Sequence, residues 1–76
     1  MNNTRRVRLS DLADRVDELH CELEGLLDDE REYLRKMPEN LCNSERYERS
    51  DAACDAMEET LDELDSSSMR LREIIE

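Results

Sequence analysis

The sequence predicts an all-α protein, an antiparallel two-helix hairpin of coiled-coil character. Three observations carry this. Apolar residues recur in an alternating three-four rhythm in both halves of the chain, as on one face of a helix. A lone proline, Pro38, separates the halves. The 76 residues contain one glycine and two aromatic residues, both tyrosine, with 43% charged side chains. That composition fits long helices rich in Glu, Asp, Arg and Leu. Without the periodicity it would fit a disordered segment equally well.

In the first half the apolar series is Leu9, Leu12, Val16, Leu19, Leu23, Leu26, Tyr33 and Met37, with Glu30 in the one position where an apolar residue is missing. Ala13, His20, Leu27 and Leu34 each follow every second member by one residue. They are expected to widen the stripe, as in a helix packed within a bundle. Residues 1–9 read as a basic segment carrying Arg5, Arg6 and Arg8 and no acid. The first helix is placed over 10–37, with Ser10 as its cap and Asp11 and Asp14 in its first turn. Leu9 continues the stripe, so a start nearer Thr4 is the alternative. Gly25 falls on the outer face of this helix.

Residues 38–43 are expected to turn, because the residue before proline is biased out of the helical region. Asn43 or Ser44 then caps a second helix over 44–76. Its stripe is Tyr47, Ser50, Cys54, Met57, Leu61, Leu64, Ser68, Leu71 and Ile75. Folding back at the turn sets position i against roughly position 84 − i, so that Leu23 meets Leu61 and Leu26 meets Met57. Leu19, Leu23, Leu26, Leu27, Leu34, Met57, Leu61, Leu64 and Leu71 form the expected core and dimer contact. A chain this short builds a core that rarely supplies more than about 3–5 kcal/mol. Two hairpins joined in a four-helix bundle are the expected remedy, with Leu27, Leu34 and Ile74 as the residues a lone hairpin leaves bare.

The stretch Met37-Pro38-Glu39-Asn40-Leu41-Cys42-Asn43-Ser44-Glu45-Arg46-Tyr47-Glu48 resembles the turn of small acidic helical proteins encoded in bacterial genomes and phage-like elements. There a MPENLQ-x-SERYE-like segment joins two heptad-bearing helices. Glutamine is usual in those proteins where this chain has Cys42. The resemblance implies a hairpin and a phage-like context. It brings no activity with it.

No residue pattern points to catalysis. A nucleophile needs a base and an orienting group within reach, and the only histidine, His20, has no Ser or Cys placed to face it. No glycine-rich phosphate loop is present. Zinc needs about four ligands brought together, and His20, Cys21 and Cys54 do not converge. No cofactor or metal is expected. The odd count of cysteines (Cys21, Cys42 and Cys54) suits reduced thiols better than a disulfide framework.

Charge is the functional signal. The net charge is −11, from 22 acids against 11 bases. Direct binding to nucleic acid requires Lys and Arg for the phosphates, and anionic membranes attract basic segments. Neither suits this chain. The opening residues show no signal-peptide pattern, and no stretch has the length and apolarity of a transmembrane span, so a bacterial host cytoplasm is the expected location. A basic protein surface is the expected partner.

Residues 51–65 hold seven acids and no base, and antiparallel pairing sets them beside residues 18–32, also acidic. The expected partner-binding residues are Asp17, Glu24, Asp28, Asp51, Asp55, Glu58, Glu59, Asp62 and Glu63. Carboxylates at three- and four-residue helical spacing stand in for successive phosphates. The expected function is therefore inhibition by nucleic-acid mimicry, in the manner of phage anti-defence proteins of the anti-CRISPR kind. The alternative is a structural or oligomerisation module whose charge only keeps it dissolved. Glu30 is expected either to reach Arg46 or Arg49 on the other helix or to fix register as a buried polar group.

Overall fold

A computed structural model describes residues 1–76. The chain is a rod with principal extents of 60 × 14 × 13 Å, built from helix α1 (Asn3–Arg35), one short 3-10 turn (Glu39–Leu41) and helix α2 (Glu45–Ile75). It contains no strand. The expected all-α hairpin is observed.

Helix α1 begins a full two turns before residue 10. Asn2, not Ser10, is its cap: the Asn2 side chain accepts a hydrogen bond from the Arg5 backbone N–H at 2.9 Å. The basic segment is therefore the first part of α1 rather than a separate element. Helix geometry continues through it because residues 1–9 contain neither Gly nor Pro. At the other end Lys36 closes α1 and donates its N–H to the Glu32 carbonyl. Pro38 is extended, and the 3-10 turn follows it. Of the two cap candidates for α2, Ser44 serves: its hydroxyl accepts from the Tyr47 N–H at 3.2 Å. Glu45 and Glu48 lie in the first turn of α2, where the helix dipole favours anions.

The inter-helix seam differs from expectation on α1. Ala13 and Leu27 are buried, and His20 and Leu34 are half-buried. They alternate along the seam with Leu9, Val16, Leu23, Glu30 and Met37, also half-buried. The other series faces outward: Leu12 is 44% exposed, Leu19 53%, Leu26 59% and Tyr33 44%. The residues expected to widen the stripe are thus the ones that close on α2. In particular Leu27 and Leu34, expected to lie bare on a lone hairpin, are covered by α2. On α2 the seam is the expected one. Ser50, Cys54 and Ser68 are buried, while Tyr47, Met57, Leu61, Leu64, Leu71 and Ile75 are half-buried.

Polar contacts across the seam accompany the rotation of α1. Ser68 donates to the Asp17 carboxylate at 2.6 Å, and Arg72 reaches both Asp17 at 2.6 Å and Asp14 at 3.1 Å. Further along, Arg31 pairs with Glu58. All these groups lie on one flank of the seam. With α1 turned this way, Ala13, small enough for close approach, faces α2. Glu30 accepts a hydrogen bond from the Ser50 hydroxyl. It engages neither Arg46 nor Arg49, and Arg49 instead pairs with Glu45 on its own helix. Every buried polar side-chain atom is satisfied.

Candidate interaction surface

The rotation of α1 sorts the surface into two unlike flanks. On the first flank, α2 presents Asp51, Asp55, Glu58, Asp62 and Asp65 in steps of four, three, four and three residues. That rhythm lays all five along one line of the helix. Across the seam, α1 contributes Asp14, Asp17, Glu24 and Asp28. A shallow groove between the helices is lined by His20, Glu24, Leu27, Asp28, Arg31, Glu58, Leu61 and Asp62. It gathers four of the sequence-designated acids, Glu24, Asp28, Glu58 and Asp62, around the Arg31–Glu58 pair.

Not all designated acids share this flank. Glu59 sits on the back of α2. Glu63 lies on the side of Asp62 away from the groove, in a depression with Ser66, Ser67 and Arg70. The rest divide by their partners. Asp17 and Glu58 are tied to the opposite helix by Arg72 and Arg31. Glu24 lies 2.8 Å from the His20 Nδ1. Asp28, Asp51, Asp55 and Asp62 make no ion pair and stand exposed. Asp14, paired with Arg72, and Asp65 join the flank although the sequence argument left them out. The four-three spacing from Asp51 was the available signal for Asp65.

The Asp17 carboxyl is held below the usual carboxylate range, first by the Ser68 hydrogen bond and then by the Arg72 guanidinium. Arg72 is correspondingly raised by its bonds to Asp17 and then Asp14. Burial pushes the Cys54 thiol up, and the nearby Glu30 charge adds to that shift. Cys54 therefore stays a neutral thiol, while Cys21 is exposed and Cys42 half-buried in the turn. The Cys42 Sγ lies 3.6 Å from the Pro38 carbonyl oxygen, where it can donate a weak bond that helps close the turn. No cluster of three or more His, Cys, Asp or Glu side chains is arranged to hold a metal ion. No helix is long and apolar enough to cross a membrane.

The opposite flank carries the exposed series Leu12, Leu19, Leu26 and Tyr33. Facing it from α2, at the same seven-residue spacing, are Arg46, Ala53, Thr60, Ser67 and Ile74. Tyr33, Arg46, Arg49 and Ala53 line one groove there together with Glu30 and Ser50. Between Leu12 and Tyr33 the crest of this flank has no charge.

The chain defines an antiparallel α-hairpin with one acidic flank and one apolar flank. In comparisons with known proteins it matches no family model, no curated protein and no solved structure.

Proposed function

We propose that the protein is a non-enzymatic inhibitor whose acidic flank occupies the basic groove of a nucleic-acid-handling protein. The observation that supports this reading is the uninterrupted line Asp51–Asp55–Glu58–Asp62–Asp65 beside Asp17, Glu24 and Asp28. Asp28, Asp51, Asp55 and Asp62 have no ion-pair partner, and like charges at such spacing repel, so the fold gains nothing from these four. Their retention on one flank fits a surface kept for a cationic partner. Lys and Arg placed to grip phosphates accept carboxylates through the same charge-assisted bonds. The resemblance of the turn to proteins of phage-like elements makes a bacterial nucleic-acid-directed defence complex the concrete target, in the cytoplasm of the host.

The test is capture from bacterial lysate on the immobilised chain at about 50 mM salt, followed by elution with double-stranded DNA. The expected result is a nucleic-acid-binding protein released by DNA, and absent when Asp28, Asp51, Asp55 and Asp62 are all changed to Asn. Capture that survives both the Asn variant and about 500 mM salt would overturn the reading.

A second reading, a structural or oligomerisation module, draws on a separate observation. The apolar flank offers a Leu-rich face of the kind that assembles helices irrespective of charge. Partners held by that flank would resist salt, which separates the two readings.

A further inference from the structure

We propose that the apolar flank is the contact between two copies of this chain, packed with their α1 helices antiparallel about a twofold axis beside Glu22 and Leu23. This inference stands apart from the reading of the acidic flank.

The exposed apolar residues themselves suggest the pairing. About an axis at that point, Leu12 of one copy lies against Tyr33 of the other, and Leu19 lies against Leu26. All four are large and about half exposed on the single hairpin. Between Ile74 at one end and Arg46 at the other, α2 supplies only small residues beneath these side chains, Ala53, Thr60 and Ser67, and so leaves room there for leucines from a second copy.

Charge selects the occupant. Outside this flank the rod carries most of its net charge of −11, so two copies repel nearly everywhere else. The rim of α1 beside the stripe reads Arg8, Arg15, Glu22, Asp29, Lys36. Antiparallel self-pairing brings Arg15 of each copy to Asp29 of the other. Its like-charged meetings are Glu22 with its own copy and Arg8 with Lys36. Parallel self-pairing would place all five against themselves. Pairing α1 with α2 of the second copy would bring Arg15 to Arg70 and Glu22 to Glu63. In these registers only the first joins opposite charges.

The size is right. From Leu12 to Tyr33 the flank runs about 32 Å at 1.5 Å per residue, and two helices side by side are about 20 Å wide. The resulting footprint of roughly 640 Å² approaches the ~800 Å² per partner of a standard interface.

The experiment uses the full chain. Sedimentation equilibrium is expected to give a dimer at low micromolar concentration. A second measurement fixes the arrangement. In a Cys21→Ser, Cys42→Ser background, Arg15→Cys and Asp29→Cys chains are prepared separately, mixed and oxidised. The mixture is expected to yield a disulfide dimer with one chain of each kind, while neither chain alone cross-links. A third exploits surface charge without endangering the fold: Arg15→Asp should weaken dimerisation about tenfold, and adding Asp29→Arg should restore it. A chain that remains monomeric at about 100 μM overturns the proposal. So does cross-linking of Arg15→Cys with itself as readily as with Asp29→Cys, or an Arg15→Asp dimer as tight as the parent.

Discussion

Ser68 and Asp17, 51 positions apart in sequence, are joined by a hydrogen bond of 2.6 Å across the seam. Ser50 and Glu30 form the same kind of bond nearer the turn, again with the serine on α2 and the acid on α1. Two serine–carboxylate bonds, one toward each end, lock the sliding of α2 along α1. Leucine contacts alone would tolerate a slip of one heptad. A buried serine placed against a leucine would not.

Asp17 makes stability depend on pH in a definite direction. Its folded-state pKa is depressed by Ser68 and Arg72, so its contribution is fully present above the unfolded value of about 3.9. That contribution is lost as pH falls through the lower folded value. The Asp17→Asn variant should therefore be less stable than the parent at pH 7, and the gap should narrow below about pH 4. Urea melts of both chains across pH 3–7 check this; a gap that widens on acidification contradicts it.

Replacing Glu30 by Leu alone should leave the melting temperature nearly unchanged. The leucine completes the apolar series, but the buried Ser50 hydroxyl loses its acceptor, at about 1–3 kcal/mol. Glu30→Leu with Ser50→Ala removes both groups and should melt higher than the parent. Thermal unfolding followed by circular dichroism distinguishes the cases. A double variant that melts lower would mean that the polar bond outweighs the packing gained.

Gly25 sits in the middle of α1, and a methyl group added there would meet nothing within 4 Å beyond its chain neighbours and its own helix backbone. Gly25→Ala should stabilise by about 1 kcal/mol through helix propensity alone. A chemical-denaturation midpoint below the parent's would show that this position is not free.

The cysteines report on the seam. Cys21 is exposed and should react with a thiol reagent at the rate of an unfolded peptide. Cys54, buried and held as the neutral thiol by desolvation and then by Glu30, should react far more slowly until the hairpin opens. Mass spectrometry of a labelling time course resolves the two. Equal rates would place Cys54 outside the seam.

Much of this architecture was legible in the sequence. The two helices, the turn at Pro38, the Ser44 cap and the seam of α2 all follow from periodicity and capping chemistry. The facing side of α1 did not. Leu12, Leu19 and Leu26 are bulkier than Ala13 and His20, and a count of apolar volume turns them inward. The observed rotation brings Arg72 to Asp14 and Asp17, and Arg31 to Glu58. Those are contacts between distant segments, invisible to the period of a single helix. For the start of α1 the alternative near Thr4, not the Ser10 cap, is the one observed: Asn2 and Ser10 are both good caps, and nothing after Asn2 interrupts the helix. The acidic flank was half legible. The acids themselves were plain, and the α2 seam already sets Asp62 apart from Glu59 and Glu63, but which acids of α1 stand beside Asp62 depended on how α1 is turned.

The 60 Å shaft has a consequence for any molecule it meets. A disordered acidic tail of the same composition would have to surrender its backbone freedom on binding, residue by residue. Here that loss is incurred during folding, before any encounter. Asp51, Asp55, Glu58, Asp62 and Asp65 arrive already in line, and a cationic surface that meets one of them meets the others in the same collision. Preorganisation of this kind lets weak individual contacts add up to a tight complex without a large interface.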